Sequence, residues 1–146
     1  MGQAKRDTTE GDANVALIKS MYEAFGRGDV DFIANRVGPE ARWDFNVAES
    51  DVPWHQPAIG PAGVPGFIGN LMSNVDIQAF EPRHFVAAGD DVIAHVRIAM
   101  TIRRSGNRID EEQLHWWKVR DGRIEGLRHF EDTAQVIAAW KGAAAA

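Results

Sequence analysis

From Ala13 onward, apolar residues repeat at helical spacing. Val15, Ile18, Tyr22 and Phe25 recur at three- and four-residue steps, with Leu17 and Met21 beside them, which predicts an amphipathic helix. Asp12 or Asn14 can cap its start, and Gly26-Arg27-Gly28 ends it. Asp29 opens a second, short helix through Val37, with Val30, Ile33 and Val37 as its apolar stripe, and Gly38-Pro39 closes it. The alternating stretch 41–47 (ARWDFNV) predicts a strand. Residues 48–63, with Pro53, Pro57 and Pro61, read as a long loop of the kind that carries function in compact domains. A third helix is expected over 66–74.

The second half alternates at period two. Four strands are expected over 75–87, 92–104, 108–120 and 123–131, joined by short turns containing Gly89, Gly106 and Gly122, so neighbours should be antiparallel. Val92, Ala94, Val96, Ile98, Met100 and Ile102 sit at strict alternation, which gives that strand one dry face. Asp132-Thr133 caps a last helix over 134–140. Helices followed by a meander argue an α+β fold, with one domain over 13–141, a frayed polar stretch at 1–12 and a flexible tail at 142–146. A long twisted sheet wrapped around helices leaves a cone-shaped hollow, where ligand sites are favoured.

Composition narrows the function. The 146 residues carry 16 Lys and Arg against 21 Asp and Glu, a net charge of −5. That argues against a nucleic-acid or anionic-membrane partner. Cysteine is absent, which excludes disulfides, thiol nucleophiles and thiolate metal sites. No apolar run approaches the roughly 20 residues that span a bilayer. The opening MGQAKRDTTEGD lacks an apolar stretch after its basic residues, so no secretory leader is expected and a cytoplasmic location is.

The order of pieces, with FGRGDVDFI, ARWDFN, IGPAGVPGFI, FVAAGDDVIAHV and LHWWKVRDGRIEGLRHFEDTA as landmarks, resembles the SnoaL-like and ketosteroid-isomerase-like branch of the nuclear transport factor 2 superfamily over about residues 13–140. The resemblance implies a curved antiparallel sheet wrapped around helices, a deep apolar pocket and a homodimer formed through the sheet. The expectation is a cofactor-independent acid–base enzyme of isomerase, cyclase or dehydratase type on a small hydrophobic or polycyclic ligand, and no HxH or HExxH spacing points to a metal. The superfamily also holds proteins without chemistry, so a ligand-binding or dimerisation module is the alternative.

Histidine titrates near neutral pH, and His115 and His129 flank the Asp121-Gly122 turn. A two-residue type I′ turn would put them on opposite faces, whereas a three-residue loop with a bulge at Gly122 would put them on one. The resemblance favours one face. It places a cyclase histidine at His115, and at His129 the position of a catalytic aspartate. The isomerase general base maps to Asp44, if one residue is gapped. Desolvation between Trp43 and Phe45 would raise the basicity of that carboxylate. The isomerase tyrosine falls on Met21, next to Tyr22. Epoxide hydrolysis lacks its arginine, since Arg97 points away from the dry face. Met21, Tyr22, Trp43, Phe67, Val96, Ile98 and Trp117 are expected to wall the pocket, with His55 on the loop as a lid candidate or an exposed loop histidine. His84 and His95 read as ordinary strand residues. Trp116 and Trp117 are adjacent, so one must face outward, where it would suit a dimer interface.

Overall fold

The computed structural model describes residues 2–142, with side chains from residue 9 onward. Of the expected tail, residues 143–146 therefore lie outside the described residues. Helix α1 spans Gly2–Gly26, beginning well before the expected start at Ala13. An apolar stripe marks where a helix packs, and a polar stretch without proline can extend it beyond that region. Helix α2 is short, Val30–Ala34, and Asp29 caps it by accepting from the Phe32 N–H at 3.0 Å. It stops before Val37 because the Arg36 carbonyl is already taken by the Ile124 N–H of the sheet.

Strand β1 (Val37–Phe45) thus starts earlier than expected and runs through Gly38-Pro39. A 3₁₀ turn at Pro53–His55 and a two-residue strand β2 (Ala58–Ile59) lead into α3, Gly60–Met72. This helix begins six residues before the expected Gly66. Proline is tolerated in a first helical turn, where its missing N–H is not needed, and Pro61 sits there. Gly60 has φ +67°, and a Cβ there would lie 2.6 Å from the Pro39 carbonyl oxygen, so the joint requires glycine.

Strands β3 (Val75–Ala88), β4 (Asp91–Ile102), β5 (Arg108–Arg120) and β6 (Arg123–Phe130) form the meander, and α4 (Thr133–Lys141) closes the chain. Asp132 accepts from the Gln135 N–H and caps α4. The six strands lie in the order β2-β1-β6-β5-β4-β3. All neighbours are antiparallel except β1, which joins β6 in parallel, a departure from a purely antiparallel sheet. The architecture is α+β, with helices packed on one face of the sheet. Among the described residues, no helix is long and apolar enough to cross a membrane.

The β5–β6 hairpin decides which residues share the inner face. Asp121 (φ +51°) and Gly122 (φ +73°) are both left-handed and lie between the paired Arg120 and Arg123, as in a type I′ turn. That turn alone would set the two histidines on opposite faces. Further along, Val119 pairs Ile124 but Lys118 pairs Gly126. Glu125 is an extra residue, a β-bulge that flips the alternation. His115 and His129 become direct partners on one face. The turn is of the first expected kind, yet the facing is that of the second.

On the inner face, the alternate residues Val92 to Ile102 of β4 are buried. On β5, Ile109, Glu111, Gln113, His115, Trp117 and Val119 are buried while their neighbours face solvent. Three of those six are polar, which makes β5 the chemical strand of the sheet.

Candidate active site

A cavity lies between the sheet, α1 and α3. It encloses about 740 Å³ of empty space with its open mouth included. Its wall includes Met21 and Tyr22 from α1, Phe67 from α3, Trp43 from β1, Ile98 from β4 and Trp117 from β5. Gln113, His115 and His129 also line it, but among the described residues no Lys, Arg, Asp or Glu does. The alternation of β1 explains the aromatic wall: Trp43 and Phe45 face in, and Trp43 meets Phe67 and Trp117 edge to face at 5.5 and 5.8 Å. Such contacts add to the burial energy of the rings.

His129 is held by stacking and by one hydrogen bond. Its ring lies on Phe45, with centroids 4.2 Å apart and planes 9° from parallel, and near Phe67 at 5.6 Å. Nδ1–H donates to the Asp44 carbonyl at 3.0 Å, so in the neutral ring the lone pair sits on Nε2. That nitrogen has no protein partner among the described residues. Burial disfavours the charged imidazolium and pushes the His129 pKa down to about 4, against a smaller upward pull from the Asp44 carbonyl.

His115 sits beside it, with ring centroids 4.6 Å apart and planes at 68°. Both of its nitrogens are engaged. The Trp117 indole N–H donates to the Tyr22 oxygen at 2.9 Å, since an indole can only donate. His115 Nε2–H donates to Gln113 Oε1 at 2.7 Å, since an amide oxygen can only accept. The lone pair of the neutral ring is then on Nδ1, which accepts from the Tyr22 hydroxyl at 2.7 Å. Burial, followed by the adjacent His129, lowers the His115 pKa well below its ordinary value. Burial also raises the Tyr22 pKa above its ordinary value. Both histidines are thus neutral rings in an apolar surround.

Three expected site residues lie elsewhere. Asp44 does not line the cavity. It alternates with Trp43 and Phe45 and faces the other side of the sheet, where its carboxylate meets Arg42 at 3.0 Å and Arg128 at 3.3 Å. His55 is neither a lid nor an exposed loop residue. It is buried against Phe45 at 4.9 Å, and its Nε2–H donates to Glu131. Val96 is buried on the inner face of β4 but falls short of the cavity wall. Trp117 faces in and Trp116 faces out, 41% exposed.

Several polar residues of the site carried no signal by residue type. Gln113, Glu111 and Glu131 form a buried chain beneath His115, which the alternation of Ile109, Trp117 and Val119 could have shown, since Glu111 and Gln113 share their phase. Gln113 Nε2 donates to Glu111 at 2.6 Å and to Glu131 at 3.3 Å. Burial, with the neighbouring Glu131 charge adding to it, raises the Glu111 pKa to about 7. The indole N–H of buried Trp43 has no hydrogen-bond partner among the described residues, an arrangement that is costly. No group of three or more His, Cys, Asp or Glu side chains able to hold an ion occurs among the described residues.

Comparison with known proteins gives the same architecture. The SnoaL-like domain family matches residues 18–127, more than half of the chain, and the chain belongs to that family. A nuclear transport factor 2-like protein from Burkholderia xenovorans superposes with a TM-score of 0.80 at 21% identity, covering 88% of this chain and 96% of that one. TerC, crystallised with polyporic acid, superposes at 0.77 with 22% identity, covering 88% and 98%. A protein from Jannaschia, provisionally named a SnoaL-like polyketide cyclase, gives 0.72 at 18% identity over 88% and 92%. These likenesses establish the fold. No curated protein sequence matches the chain.

Proposed function

We propose that this SnoaL-like chain is a cofactor-independent acid–base enzyme acting on a small, neutral, hydrophobic or polycyclic substrate. The observation that carries the reading is the bare Nε2 of a neutral His129 in a cavity wall to which the described residues contribute no charged side chain. In this reading, His129 Nε2 takes a proton from a carbon next to a carbonyl, or from an enol hydroxyl. The absence of cationic side chains among the described residues of the wall disfavours anionic ligands. TerC, of the same fold, was crystallised with polyporic acid, which supports a small organic occupant here. The outer face of the sheet, with Leu114 and Trp116 exposed, is the surface through which two copies would pair.

A weak base is matched to few proton transfers. The low pKa of His129, with both His115 nitrogens occupied, favours a second reading: the cavity binds such a molecule without turning it over. The test is 2-tetralone in deuterated buffer, with exchange at its activated carbon followed by mass spectrometry and binding by quenching of tryptophan fluorescence. Exchange above background that vanishes in His129→Phe, with the melting temperature kept, supports the enzyme. Binding without exchange supports the second reading, and neither binding nor exchange overturns both.

A further inference from the structure

The chain of polar groups below the cavity has a direction, and its lower end imposes it. At the upper end the Trp117 indole can only donate, so the Tyr22 oxygen accepts from it, and toward His115 Nδ1 the same hydroxyl can either donate or accept. At the lower end stand two buried carboxyl groups. Gln113 meets Glu111 Oε1 and Glu131 Oε2 with one end of its amide and His115 with the other. Turning that amide over would set its carbonyl oxygen against both carboxyl groups, so the N–H₂ end faces them and Oε1 faces the histidine. The carboxyls are themselves anchored. Glu111 Oε2 accepts from the Asp132 backbone N–H at 3.2 Å. Glu131 Oε1 accepts from His55, whose Nδ1 lies 2.7 Å from Ser50 Oγ.

We propose that Gln113, oriented by Glu111 and Glu131, is a positioning residue that commits His115 to the Nε2–H tautomer, and that this leaves His129 Nε2 as the only open nitrogen acceptor among the described residues of the cavity wall. With Gln113 Oε1 accepting, Nε2 must carry the proton and Nδ1 the lone pair. The Tyr22 proton is then used inside the protein and is not offered to a ligand. Without the Gln113 acceptor, a second arrangement opens. Nδ1–H donates to the Tyr22 oxygen, and the Tyr22 proton turns to the cavity. The inference rests on the reading of the cavity as a ligand site, but its test needs no ligand.

Long-range ¹H–¹⁵N correlation on the ¹⁵N-labelled protein distinguishes a pyrrole-like from a pyridine-like ring nitrogen. At neutral pH the wild-type His115 is expected to show a pyrrole-like Nε2 and a pyridine-like Nδ1. Tyr22→Phe should keep that pattern, since Gln113 still accepts. Gln113→Leu should lose it, the two nitrogen shifts moving toward each other as the tautomers mix. Gln113→Met, closer in volume, stands in if the leucine variant does not fold. A pyrrole-like Nδ1 in the wild type overturns the proposal, and so does an unmixed pattern in Gln113→Leu or Gln113→Met, because Tyr22 would then be the deciding partner. A failed exchange assay beside the expected nitrogen shifts would sink the enzyme and leave the positioning intact.

Discussion

A histidine meets a glutamate on each side of this sheet. On the outer face, His95 of β4 lies 2.9 Å from Glu112 of β5, with side chains 26% and 65% exposed. On the inner side, His55 meets Glu131 with both side chains 1% exposed. Outside, water screens the pair, and neighbouring Arg83 and Arg97 share the carboxylates of Glu81 and Glu112, so each contact is replaceable. Inside, each partner has lost its water, and removing one leaves the other uncompensated. The same two residue types are thus a surface decoration in one place and a structural commitment in the other. Burial, rather than distance, decides which.

The sharpest break of that comparison is truncation on both sides. Glu131→Ala strands His55 and removes one acceptor of Gln113, and should cost about 3–5 kcal/mol in urea denaturation. His95→Ala, its outer counterpart, should fall within about 0.5 kcal/mol of wild type. Comparable losses at the two positions would erase the distinction.

Acid comes next in size. The unfolded chain protonates His129 near pH 6.5, while the folded site refuses the proton until about pH 4. The unfolded state therefore binds more protons in that window, and stability is lost as pH falls through it. The contribution of His129 is about 3 kcal/mol at most, from 1.36 kcal/mol per pKa unit. Denaturation midpoints at pH 7, 5.5 and 4 measure the slope, and His129→Phe should flatten it.

Glu111 works in the opposite sense. Its folded pKa of about 7 lies above the ordinary 4.5, so the fold favours the protonated carboxyl and loses stability as pH rises from 4.5 through 7. Glu111→Gln should therefore gain relative to wild type at pH 8 compared with pH 5, by a few degrees in melting temperature. A constant difference at both pH values would show that the carboxyl is not protonated by the fold. The smallest effect is expected at Asp44. Asp44→Asn breaks two partly exposed ion pairs, should cost less than about 1 kcal/mol, and should leave ligand binding unchanged, as fits a residue on the far side of the wall.

Much of this was legible in the chain. Alternation gave β4 and β5 to within a few residues, and Asp29 and Asp132 announced their helices through capping chemistry. Met21, Tyr22, Trp43, Phe67, Ile98 and Trp117 were readable as cavity wall because each is a large apolar residue in phase with its element. Asp44 was misread against the same rule. Residues adjacent on a strand face opposite ways, so a carboxylate between two inward aromatics had to point out. His55 was harder. Its burial depends on a partner 76 residues away in sequence, and no local pattern encodes that. The start of α1 escaped because its first turns need no apolar stripe.

The facing of His129 lay beyond pattern altogether, because it turns on one surplus residue in β6. Gly126 was the only local hint, a lone glycine inside a strand. A phase shift of this kind lets a chain carry its chemistry from one side of a sheet to the other by insertion alone. Excising Glu125 would present Arg128 to the cavity and hand His129 to the solvent, with every other side chain still spelled as before. Within such a scaffold, counting residues between a turn and a reactive ring is as informative as identifying the ring.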